Sequence, residues 1–224
     1  MVEVVLCSGY PTQLAIGALL ASLGLAPSPG TLTPGFVFAL SAIDTVLLLA
    51  LVFYFLYRSG ESARALFLGN RPPRAEIGFG LATLPLVFLL VIAVQIVIRL
   101  AAPSLHNVEV NPFVEMLASP LMAAAFIALV LVAGGIREEL QRAFLLHRFE
   151  QRLGGGRLGL VLTSVAFGLG HGIQGWDASI LTGLLGAFWG VIYLQRRSVV
   201  STVTSHAVFN AAQVILGYAA LSAA

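Results

Sequence analysis

FVFALSAIDTVLLLALVFYFLY, residues 36–57, is a run of 22 residues with one acidic and no basic side chain, Asp44 being the acid. A helix needs about 20 apolar residues to cross a bilayer, so this run reads as a transmembrane helix. FGLATLPLVFLLVIAVQIVI at 79–98 is of the same kind. Composition agrees with both: 58% of the chain is hydrophobic and only 10% charged, where a soluble domain carries about a quarter charged residues. A soluble enzyme, a disordered tail and a nucleic-acid-binding module are thereby excluded. The net charge of +2 is too small to argue for acidic partners, and no nucleic acid is expected. Cys7 is the only cysteine, so neither an intrachain disulfide nor a C-x-x-C metal knuckle can form.

Outward from these runs, apolar stretches alternate with turn signals. A weak first span at 14–25 ends at the breaker Pro27-Ser28-Pro29-Gly30. It is read as a span rather than a signal peptide, because no basic residue precedes it and Glu3 stands where one would be. A polar segment from Arg58 to Glu76 leads to a span at 77–101, and a turn on Pro103, Asn107 and Asn111-Pro112 leads to another at 113–133. That run passes through Gly134-Gly135 into an amphipathic helix rich in Arg and Glu, which stops at Gly154-Gly155-Gly156. Three further spans fit 158–172, 178–194 and 199–220. The expected fold is all-α, a polytopic bundle of about seven to eight transmembrane helices. It is expected to form one membrane domain over 1–224 with a motif core at 134–217. No internal repeat or paired broken helix of the transporter kind is present.

Cytoplasmic loops retain the positive residues. Alternating the spans with Arg58, Arg64, Arg71 and Arg74 inside also brings Arg137, Arg142, Arg148, Arg152, Arg157, Arg196 and Arg197 inside. Eleven of twelve arginines then share one side, and only Arg99 lies near the far interface. The opposite loops hold Glu109, Glu115 and Asp177.

An ionisable side chain at mid-membrane costs about 2.5–3.5 kcal/mol on insertion scales, so each one asks for a reason. Asp44, Glu138-Glu139, His171, and His206 with Asn210 are such places. Asp44 reads as a hydrogen-bond partner between helices. Arg137 and Arg142 flank the glutamates, and Arg142 is three or four residues on, within reach of either carboxylate. Adjacent helical residues diverge by about 100°, so the two glutamates cannot face one reactive atom: one acts and the other orients. Phe167 lies one turn before His171, and His206 and Asn210 share a face at i,i+4. A carboxylate, an imidazole and an imidazole–amide pair are the makings of a hydrolytic site, with a base for water and donors for an oxyanion. The bland reading of each residue is an interfacial charged face for the glutamates and a hydrogen-bonded core histidine for each imidazole.

Three motifs occur in order: Glu138-Glu139-Leu-Gln-Arg142, Phe167-Gly-Leu-Gly-His171 and His206-Ala-Val-Phe-Asn210. In these the chain resembles the CPBP (Abi) family of intramembrane proteases, which includes the type II CAAX prenyl endopeptidases. The family leaves three residues between its second Glu and its Arg; here there are two, so Ala143 stands at the family's Arg position and Arg142 is a displaced substitute. The resemblance implies an intramembrane endopeptidase hydrolysing a peptide bond of a membrane-anchored or lipidated substrate, CAAX-type prenylated proteins included. It implies that Glu138 and His171 activate water, that Glu139 and Arg142 orient Glu138, that His206 and Asn210 stabilise the oxyanion, and that Phe167 packs against the site. No cofactor is expected; the alternative is a divalent metal such as zinc held by Glu138, His171 and His206. The alternative function is a non-catalytic membrane protein for bacteriocin self-immunity or peptide binding. The expected location is a bacterial inner membrane, in contact with lipid and with the site facing the cytoplasmic leaflet.

The arginine distribution makes one prediction directly. Cysteines introduced at Ser59 or Gln151 are expected to resist a membrane-impermeant thiol reagent applied from the periplasmic side, and labelling of either would overturn the orientation.

Overall fold

A computed structural model describes residues 1–25 and 32–223; the breaker at 27–30 lies outside the described residues. The architecture is helical, with no strand among them. In chain order the helices are α1 (Val2–Leu6), α2 (Tyr10–Ser22), α3 (Pro34–Arg58), α4 (Ala63–Phe67), α5 (Pro73–Ala82) and α6 (Leu84–Ala101). After short 3-10 turns come α7 (Pro120–Leu129), a π-helical stretch (Val130–Arg137), α8 (Glu138–Arg152), α9 (Gly156–Leu169), α10 (Trp176–Arg196) and α11 (Val200–Ala223).

Among the described residues, four stretches are long and apolar enough to cross a membrane: Pro34–Arg58, Pro73–Ala101, Pro120–Arg152 and Trp176–Arg196. The polytopic helical membrane class therefore stands, with fewer full-length apolar spans than the apolar runs promise. The differences have physical reasons. Helix α9 has 14 residues, a rise of about 21 Å against a hydrocarbon core of about 30 Å. Helix α2, with 13 residues, is shorter still. Helix α11 is 24 residues long, but its first half buries Ser201, Thr202, Ser205 and His206, a polar face turned to protein instead of lipid. The run expected to start at residue 113 starts as an α-helix only at Pro120. There the Ser119 hydroxyl accepts a hydrogen bond from the Met122 amide at 3.2 Å, and Pro120 fills the first turn where no amide is needed.

The described residues form two compact units, each assembled from separate stretches of chain. The first comprises Met1–Ala63, Pro112–Gln141 and His206–Ala224. In it α2 packs on α3, and α3 packs on the π-helical stretch. Val37, Met116, Phe126 and Val214 form an apolar core there.

The second unit comprises Arg64–Asn111 and Arg142–Ser205. Its centre is the pairing of α9 with α10, drawn together by small residues. A Cβ added to Gly168 would lie 2.5 Å from the Ser179 carbonyl oxygen and 3.1 Å from the Gly183 Cα. Small residues at such a crossing let helix backbones approach closely where lipid offers no hydrophobic drive. The buried Trp189 indole donates to the Ser205 hydroxyl at 3.1 Å, and that hydroxyl also lies 2.9 Å from the Thr83 hydroxyl, so α5, α10 and the start of α11 are tied by polar bonds. At the polar edge Arg196 grips Glu76 with two bonds of 2.8 and 2.6 Å and lies over the Phe79 ring.

Because the Gly168 contact is with backbone, no rotamer can relieve it. Gly168→Ala is expected to destabilise the protein by about 1–3 kcal/mol, read as a lowered melting temperature in detergent; an unchanged melting temperature would mean the α9–α10 crossing is looser than described.

Candidate active site

Within the first unit the π-helical stretch delivers Arg137 and then Glu138 and Glu139 at the start of α8. A π turn inserts one residue into the helical register, and such turns occur often at functional sites. Two glycines in it decide what can come close. A Cβ on Gly135 would sit 2.6 Å from the Cβ and 3.0 Å from the Cα of Ala207, and one on Gly134 would sit 2.5 Å from Asn210 Nδ2. Gly134-Gly135 thus lets the His206–Asn210 face of α11 lie directly against the turn that carries the glutamates.

The result is a compact polar cluster. His206 Nδ1 donates to Glu139 Oε1 at 2.8 Å, and its Nε2 lies 3.9 Å from Glu138 Oε2. Glu139 is 1% exposed and His206 4%. The other Glu138 oxygen accepts from Arg137 Nη2 at 3.2 Å. Arg137 Nη1 donates to Gln141 Oε1 at 3.2 Å and lies 3.4 Å from Asp44 Oδ2. Asp44, 1% exposed, accepts in turn from the Thr12 hydroxyl at 2.5 Å and from Gln13 Nε2 at 3.3 Å. Gln141 Nε2 reaches back to the Cys7 carbonyl at 2.9 Å.

The glutamate pair is therefore not an interfacial charged face, since Glu139, Arg137 and Arg142 are all buried. Asp44 is the helix-to-helix partner expected of it, with a guanidinium added. Arg137, on its N-terminal side, is bonded to Glu138, and Glu139 is bonded to His206. Arg137 was legible only as a flanking charge, and its link to Asp44 was missed. The available signal was that a carboxylate within an apolar run must meet a cation or a donor somewhere.

Arg142, Phe167 and His171 lie in the second unit. The Arg142 guanidinium lies 4.7 Å from the centroid of the Phe167 ring and 5.9 Å from that of Trp189. Phe167 meets the His171 ring edge-on at 4.8 Å. His171 Nδ1 donates to the Phe167 carbonyl at 2.8 Å, which in the neutral ring leaves Nε2 as the acceptor nitrogen. Ala143, at the family's Arg position, is fully buried.

Among the described residues, no group of three His, Cys, Asp or Glu is arranged to hold a metal ion. Two groups 3.9 Å apart can share one water, each at a hydrogen-bond distance of about 2.8 Å. Glu138 Oε2 and His206 Nε2 are such a pair, and Asn210 is one turn from His206 on the same face. A carboxylate and an imidazole able to share a water beside an amide donor are the class of arrangement that hydrolyses acyl bonds.

Residues 120–212 match the family described as type II CAAX prenyl endopeptidase Rce1-like, the family that the three motifs resemble. It is a family of proteases, and the matched segment contains Glu138, Glu139, His171, His206 and Asn210. No curated protein and no solved structure matches the chain.

The two glycines are predicted to differ. Gly135→Ala drives a Cβ into the Ala207 Cα and Cβ and should lower the melting temperature; Gly134→Ala meets only the amide end of Asn210, which can swing away, so stability should change less. Equal losses in the two variants would contradict this geometry.

Proposed function

We propose that the chain is an intramembrane endopeptidase acting on membrane-associated peptides, prenylated CAAX-type substrates among them. The observation that supports this best is the Glu138–His206–Glu139 geometry: one imidazole hydrogen-bonded to a buried carboxylate and turned by its other nitrogen toward a second carboxylate. In this reading Glu138 is the general base. Its Oε2 takes a proton from water as the water oxygen attacks the peptide carbonyl, and later returns that proton to the departing amine. Arg137 holds the other carboxylate oxygen so that Oε2 keeps its direction. Glu139 fixes the ring of His206 through Nδ1, leaving Nε2 for the reacting groups. With its ring protonated, His206 donates to the oxyanion together with the Asn210 amide.

His171 enters this reading through the family motif. Its Nδ1 bond to the Phe167 carbonyl fits a histidine that offers Nε2 as an acceptor, and Phe167, itself under the Arg142 guanidinium, meets its ring. The reading is metal-free. Metal-dependent hydrolysis is its chemical competitor. The substrate would enter from lipid, and the site would open to the cytoplasmic leaflet of a bacterial inner membrane.

The test is cleavage of a mixed library of prenylated and unprenylated membrane peptides by the purified protein. Glu138→Gln is expected to reduce kcat by about 10²–10⁴-fold, and a strong chelator is expected to leave the wild type unaffected. Loss of cleavage with chelator would replace the glutamate mechanism with a metal one. A wild type that binds peptides without cutting them, with binding retained in Glu138→Gln, would favour the immunity or peptide-binding function.

A further inference from the structure

We propose that Asp44 is a positioning residue for Glu138, acting through Arg137, so that the N-terminal helices α2 and α3 form part of the catalytic apparatus. The inference rests on the reading of Glu138 as the general base. It goes beyond the family match, which begins at residue 120 and leaves both helices out.

The geometry supports it link by link. Asp44 stands near the middle of α3, within a candidate membrane span. For the sole purpose of joining α2 to α3, a neutral asparagine or threonine would serve, because the bonds from Thr12 and Gln13 need only an acceptor. An anion is kept where it is costly, and the cation beside it is Arg137. Arg137 is 8% exposed and offers a planar fork: one amino group faces Asp44 and Gln141, the other Glu138. Because a guanidinium is rigid, fixing one arm fixes the other. The plane of Arg137, and through it the direction of Glu138 Oε1, is then set by Asp44 and Gln141. Each of these anchors is itself fastened to the N-terminal segment, Asp44 by Thr12 and Gln13 and Gln141 by the Cys7 carbonyl.

An alternative is that Asp44 merely neutralises Arg137 and holds the fold. The two are separable by kinetics. The probe is a farnesylated peptide ending in a CAAX box, cleaved by full-length protein in detergent. Asp44→Asn is nearly isosteric and keeps an oxygen for Thr12. It is expected to lower kcat about 10- to 100-fold, the scale of a small misplacement of a reacting group, with KM within about twofold of wild type and a lowered melting temperature that still leaves the variant folded at the assay temperature. In an Arg137→Gln background, Asp44→Asn should add no further loss, because the route through Arg137 is already cut.

Wild-type kcat in Asp44→Asn while Glu138→Gln is inactive overturns the inference and leaves the glutamate reading standing. Losses that multiply in the double variant also overturn it, since Asp44 would then act independently of Arg137. Should Asp44→Asn fail to fold, Arg137→Lys serves instead: a single ammonium lacks the fork, so the same fall in kcat is expected, and wild-type kcat would overturn the inference. A wild type that cleaves no peptide, the farnesylated one included, overturns the glutamate reading and this inference together.

Discussion

A carboxylate inside an apolar helix has to be met by positive charge or by hydrogen-bond donors, and in the first unit a single guanidinium meets two of them. Arg137 lies against both Asp44 and Glu138, and much else there is organised around keeping it in place. Breaking a buried ion pair by removing one partner costs several kcal/mol, because the survivor is left charged in a poor solvent. Replacing the whole group with apolar residues would often be no worse for stability. A network of this kind is therefore weak evidence of a need for stability and better evidence of a need for fixed geometry. The closure of the chain from Thr12 through Asp44 and Arg137 to Glu138 by direct contacts fits the second purpose.

The other constraint is steric. Polar side chains serve one reaction only when their backbones come close, and backbones in lipid come close where side chains are small. Gly134-Gly135 does this for α11 at the π-helical turn, and Gly168 with Gly183 does it between α9 and α10 in the second unit. The first contact brings the His206–Asn210 face to the glutamates. The second holds α9, whose last turn contains Phe167 and which ends two residues before His171. In both places glycine is required by proximity rather than by an unusual backbone angle, since none of these four has a positive φ.

Much of the fold was legible in the sequence because hydrophobicity and length are local properties. The runs at 36–57 and 77–101 and the one at 178–194 correspond to Pro34–Arg58, Pro73–Ala101 and Trp176–Arg196. Counting apolar residues failed where a helix turns toward protein: α11 has buried hydroxyls where a lipid-facing span would have aliphatic side chains. The residues of the motif cluster were legible as types, because ionisable groups stand out against an apolar background. Their partners were not. His206 and Glu139 are 67 residues apart, and Asp44 lies far upstream of Arg137, so helix spacing carries no information on either pairing. Local spacing pointed to Arg142 beside the glutamates and gave no sign of the bond from Arg137, the chain neighbour of Glu138.

Adjacent glutamates on a helix point about 100° apart, and their environments here differ as their directions do. Glu139 is almost fully enclosed and bonded to His206 Nδ1. Glu138, with 12% of its side chain exposed, is held at one oxygen and has the other turned toward His206 Nε2 without bonding it. A group that must exchange a proton with water needs access and an oxygen not already committed, whereas a group that orients a ring needs burial and a short, charge-assisted bond. By those criteria the first glutamate is suited to the chemistry and the second to holding the imidazole. Both face the same ring, one at each nitrogen, which in the proposed mechanism gives a physical reason for two consecutive carboxylates where the reaction needs only one base.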